Sequence, residues 1–156
     1  MSEFLDSFLD AALISARLRD EVPGFVLVGT ARDFANAQAE TLRAPSAWVI
    51  ILAETASEPR YAVAELLDQV VTVRFGVVMA VRDIADRTGA AAREALRPIR
   101  EQVHRAICSW QPVGSNHACR FSRGALTSGI GKDGMMFWQD EFTVSFDRRI
   151  HLETTP

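Results

Sequence analysis

A chain of 156 residues, 48% hydrophobic and 24% charged, has the size and make-up of one folded domain with a substantial core, which excludes a disordered chain. The formal net charge of −3 leaves no global basic field to draw it to nucleic acid or an anionic membrane, and no apolar run is long enough to cross a bilayer. Two cysteines, Cys108 and Cys119, are too few for a disulfide scaffold and fit a reducing cytosol, including that of a host cell; Met1–Asp6 shows no secretory leader, so export is not expected.

Phe4, Leu5, Phe8, Leu9, Ala12, Leu13 and Ala16 recur at three- and four-residue steps. This predicts an amphipathic helix over Glu3–Arg19, capped by Ser2, with those residues facing the core. Val22-Pro23-Gly24 ends it. Phe25–Val28 reads as a short strand, Ala31–Ala39 as a short helix or irregular connection, and Ala44-Pro45-Ser46 as a turn. Ala47–Leu52 is continuously apolar, which predicts a strand covered on both faces. Glu54–Arg60 is polar, contains Pro59, and reads as a loop or hairpin tip.

A long strand is predicted over Asp68–Arg82. Val71, Val73, Phe75, Val77, Met79 and Val81 fall on its core face, and Arg74 and Arg82 make the other face partly wet. After the polar break Asp83–Gly89, a helix runs to about Trp110 and buries Ala92, Leu96, Ile99, Val103, Ile107 and Trp110; Pro98 is expected to kink or divide it. Arg120–Thr127 and Met135–Phe146 read as strands joined by a hairpin loop at Ser128–Gly134. The order α-β-(α)-β-β-α-β-β has more hairpins than crossovers. The predicted fold is therefore α+β, one domain over 1–156, with a single mixed, mainly antiparallel sheet and helices packed on one face.

Little in the sequence carries chemistry. Gly124–Gly134 is glycine-rich, but Gly131-Lys132 is followed by Asp133 and the stretch leads into a strand, whereas a phosphate cradle needs a helix N-terminus. His104, Cys108, His117 and Cys119 form the one set from which zinc ligands or a Cys–His nucleophile could be drawn. Their spacing matches no standard zinc pattern, and cysteine is commonly a small buried hydrophobe. Asp140 and Glu141 are adjacent on a strand, so they face opposite ways and cannot serve one site as paired acid and base. The expectation is a protein with no cofactor, no metal and no catalytic residue.

Val73–Asp83 is a long strand ending in a polar corner. It is followed by Asp86-Arg87-Thr88-Gly89, by an Ala-rich helix ending in Ala106–Pro112, by a strand with Phe121, Gly124 and Leu126, and by Phe137-Trp138 opening a last strand to Phe142. This succession resembles the tail terminator, or tail completion, proteins of long-tailed bacteriophages. The N-terminal helix and the run Ala44–Val49 are similar too. The resemblance covers most of the chain, is tightest from Val70 to Trp138, and rests on structural positions. It implies a virion protein made in the host cytoplasm and placed at the tail neck. Such a protein closes into a hexameric homo-oligomeric ring on the tail-tube protein, ends tube polymerisation and offers the tail-side surface to the head–tail connector. DNA passes through its lumen without specific binding, and no membrane is involved. Alternatives are another neck adaptor, for head completion or stopping, or a small Cys/His metal-binding protein or enzyme. Within the terminator reading, the Glu54–Leu67 and Gly129–Gly134 loops are expected to make subunit or tube contacts through Arg60, Tyr61 and Lys132. Arg74, Glu141 and Arg148 are expected to line the lumen.

Overall fold

The structure, a computed structural model, describes residues 8–36, 43–60, 65–82, 90–128 and 134–152. The described residues form β1 (Leu27–Thr30), β2 (Ser46–Ala56), β3 (Leu66–Arg82), β4 (Arg120–Ser128) and β5 (Met135–His151), in the sheet order β1-β2-β3-β5-β4. β1 runs parallel to β2, bridged by the short helix α2 (Ala31–Asn36); every other pair is antiparallel. α1 (Ala11–Glu21) and α3 (Ala90–Cys108) complete an α+β fold with one mixed sheet, in the order that the hydrophobic pattern predicts.

The alternation in β3 and β5 is what builds the centre. All 17 residues of β3 pair with all 17 of β5, without a register break. Val73, Phe75, Val77, Met79 and Val81 therefore share one face with Phe142, Val144 and Phe146, and α1 and α3 cover that face with Ile14, Leu18, Val103 and Ile107. Burial of each such side chain contributes roughly 1.5–3 kcal/mol. The short α2 lies against the other face. There Phe34 packs on Trp48 at 5.1 Å, beside Val78, Ala80 and Met135. β2 is thus covered on both sides at its start, as its unbroken apolar run predicts. β1 and α2 are joined at Asp33, which accepts from the Thr30 N–H at 2.8 Å and from the Thr30 hydroxyl at 3.2 Å, and Gly29 leaves the room Asp33 needs.

Three expectations need correction. α1 begins at Ala11, not at Glu3, and its cap is Asp10, which is extended (φ −82°, ψ 124°) and accepts from the Ala12 N–H at 2.9 Å; Ser2 lies outside the described residues. The extended residue breaks the phase of the helical repeat. The buried side is therefore Ile14, Ser15 and Leu18, whereas Ala12, Leu13 and Ala16 are exposed. The polar Glu54–Arg60 stretch is not simply a loop. β2 runs on to Ala56, and the Ser57 and Arg60 N–H groups donate to Val70 and Asp68, because β3 extends far enough to supply partners. Pro98 does not divide α3, which is one helix from Ala90 to Cys108.

Candidate functional site

The helix-covered face holds an ionic cluster centred on Asp140. Asp140 sits in the core-facing series of β5 between Trp138 and Phe142, and its side chain is 0% exposed. A buried carboxylate needs partners, and three side chains supply them. Arg100 Nε donates at 2.8 Å and 3.0 Å to the two carboxylate oxygens, His104 Nε2 lies 2.9 Å from Oδ2, and Trp138 Nε1 donates to Oδ1 at 2.9 Å. Arg100 and His104 stand one turn apart on α3, so both point down onto β5. The Arg100 guanidinium also lies over the rings of Trp138 (5.0 Å) and Phe121 (5.5 Å). Burial pushes the Asp140 carboxyl up, but the hydrogen bonds from His104, Arg100 and Trp138 together outweigh it and leave the group below the usual carboxylate range. The cluster ties α3 to β5 with its polar groups mutually satisfied.

Gly124 on β4 faces this cluster. A Cβ there would stand 2.5 Å from Asp140 Oδ1 and 2.7 Å from Arg100 Nη2. Replacing glycine by alanine within a strand ordinarily helps stability slightly. Gly124→Ala is expected instead to destabilise by about 1–3 kcal/mol, the usual range for overpacking, as read by thermal unfolding. A variant as stable as the parent would show that the cluster yields freely. Beside it, α3, β4 and β5 frame a groove of about 640 Å³ with Leu96, Leu126, Met136 and Trp138 as its apolar floor and Arg93 and Arg97 at its rim.

The opposite face of the sheet is polar beyond the part that α2 covers. Bulges at Ser122 and Thr127 re-aim β4, so Phe121 pairs with Phe142 on the helix side while Arg123 pairs with Glu141 on the other. Glu141 is largely buried between two arginines, with Arg123 Nε at 3.0 Å and Arg74 Nε at 4.0 Å. Further along the same face, buried Asp68 takes Arg60 at 2.7 Å and Arg149 at 3.2 Å, and Arg60 also reaches Asp147 at 3.2 Å. The Arg60 and Arg149 hydrogen bonds hold the Asp68 carboxyl below its ordinary value against burial, and the bond to Asp68 pushes Arg60 up.

The residues singled out from sequence are therefore distributed unevenly. Arg74 and Glu141 come together on the polar face. Arg148 pairs with Gln69, seven residues on from Glu141, which is an odd step and places it on the opposite side of β5. Arg60 is bound into the Asp68 network, and Tyr61 and Lys132 lie outside the described residues. Among the described residues no group of three or more His, Cys, Asp or Glu side chains is placed to hold a metal. His104 turns to Asp140, while His117 donates through Nδ1 to the Ala118 carbonyl at 2.7 Å and meets the Ser145 hydroxyl at Nε2. Burial pushes the Cys119 thiol up to about 12 and raises Cys108 as well, so neither is a ready thiolate. Sequence reasoning missed the Asp140, Arg100, His104 and Gly124 constellation. Its signal was a carboxylate at a core-facing position of β5, together with an Arg/His pair one turn apart on α3.

The family model described as phage tail terminator protein matches residues 4–154. No curated protein matches the chain. A match over nearly the full length shows that this chain belongs to the phage tail terminator family and is a structural protein of bacteriophage tail assembly, a component of the virion.

Proposed function

We propose that the protein caps the tail tube as a hexameric ring, ends tube polymerisation, and presents the tail-side surface on which the head, through its neck protein, joins. The observation that carries this reading is the family match over residues 4–154. The geometry supports it in two ways. Leu66 and Arg82 stand at opposite ends of β3, about 50 Å apart at the rise of a strand. Arg60, bound to Asp68 near the start of β3, lies at one end. The connection that carries Lys132 leads into β5, whose first residue, Met135, pairs with Arg82 at the other. The subunit thus has two remote ends, suited to contact the tube on one side and the neck on the other. The polar sheet face, with Arg74 and Arg123 flanking Glu141, suits the wall of a lumen that DNA crosses without being held. Arg148, expected on the same wall, lies on the other face of β5 and is left out of it.

In tube polymerisation reactions with the cognate tail-tube protein, the purified chain is expected to give short tubes bearing a cap at one end. Tubes of unaltered length without caps would overturn the reading. Tight DNA binding that falls steeply with salt would overturn the lumen assignment alone.

A further inference from the structure

α1 carries apolar residues on two sides, one buried in the core and one exposed. Ile14 and Leu18 enter the core, whereas Ala12, Leu13, Ala16 and Asp20 share the outer side and are all exposed, Leu13 at 56%. A surface helix of an isolated domain normally carries one apolar stripe. At the same edge of the sheet Val26 and Leu27 are exposed as well.

The groove beside α3 lies at the other edge. α1 rests on β1 and β2 and against the C-terminal part of α3, whereas the groove lies beyond α3, over β5 and β4, the last strands of the sheet order. Along α3, Arg93 and Arg97 stand one turn apart above an apolar floor in which Leu126 is 48% exposed, with Arg100 bound to Asp140 below them. The two surfaces differ in charge: the groove is lined by Arg93 and Arg97 with Glu101 as its acid, and Asp20 is the one charge of the outer stripe.

We propose that the outer stripe of α1 in one copy of this chain seats in the α3–β4–β5 groove of the next. This inference rests on the ring reading above. Stripe and groove are different surfaces at opposite edges, which is the head-to-tail relation a closed ring requires. The arrangement is a helix laid in an apolar groove. Leu13 fills the floor, the alanines allow the close approach of about 8–10 Å between helix axes, and Asp20 meets the basic rim. From Leu13 to Asp20 is seven residues, a span of about 10 Å.

Leu13→Asp and Leu126→Asp alter exposed positions, one on each surface. Thermal unfolding of the full chain establishes that each folds, and assembly is then measured with the tail-tube protein as template. Each variant alone is expected to weaken subunit association at least about tenfold, as loss of a central apolar anchor does, and to form no ring. Mixed, they retain one intact stripe and one intact groove, so pairs are expected to form without closing. Folded variants that assemble like the parent would overturn the inference and leave the ring reading standing. So would a mixture that forms no pairs, or a Leu126→Asp variant that loses only its grip on the tube, which would give the groove to the tube protein. Failure of the unaltered protein to form rings with or without tubes would instead remove the ring reading, and this contact with it.

Discussion

Replacing Asp140 by alanine is expected to cost about 3 kcal/mol of folding stability, the lower end of what breaking a buried ion pair from one side costs. The lower end applies because Arg100 and His104 are each about a third exposed and can recover part of their hydration, whereas the Trp138 N–H loses its acceptor outright. For a domain of this length the midpoint of thermal unfolding should fall by roughly 6–12 °C. Asp140→Asn keeps an acceptor for Trp138 and should lose less. The effect carries a pH signature. A carboxyl held below its usual range in the folded state stabilises fully above its unfolded value of about 3.9 and loses that contribution as pH falls through the lower folded value. The gap between parent and Asp140→Ala should therefore not narrow from neutrality to about pH 5 and should narrow only below about pH 4. A gap that closes between pH 7 and pH 5, or an alanine variant as stable as the parent, would mean that the cluster does not hold α3 on β5.

Phe142→Ala should be of similar or greater severity. Phe142 is fully buried at the middle of β5, stacks on Phe75 at 5.6 Å and meets the edges of His104 at 5.3 Å and Phe121 at 5.9 Å. It joins β3, β4 and α3 at one point, so the cavity has walls on three elements that cannot all collapse into it. Such truncations cost about 3–5 kcal/mol. Phe142→Leu, which refills most of the volume, should recover more than half of that loss in chemical denaturation. Equal losses for Leu and Ala would show that ring packing, and not volume, governs this part of the core.

The long strands were legible because both of their faces signal. In β3 the valines and Phe75 alternate with Arg74 and Thr72, and in β5 the aromatics alternate with Gln139, Glu141 and Thr143; each pattern survives with no register break. The N-terminal helix was legible as a helix but not in phase. Apolar residues before and after Asp10 fall into one arithmetic series although the chain leaves helical geometry between them. The end of β2 was hidden because polar residues pair as well as apolar ones when a partner strand is present. The bulges of β4 were hidden for a related reason: alternation gives no sign of an inserted residue, and so of which face Arg123 takes. Of the residues expected to act, Arg74 and Glu141 were found together, since cross-strand placement follows from register once the strands are known. Arg60 was read as a loop residue making subunit or tube contacts because its partner Asp68 belongs to the start of the next strand. Asp140 stood in plain view as a charge on the core side of β5. Only the docking of α3 reveals that Arg100 and His104 answer it.

The central claim is the ring on the tube, and the mass of the protein in solution tests it most directly, measured alone and after addition of assembled tail tubes. A species of about six subunits, seen either free or as a cap at one tube end, is the expected result. A chain that remains monomeric under both conditions and leaves the tubes bare would contradict it.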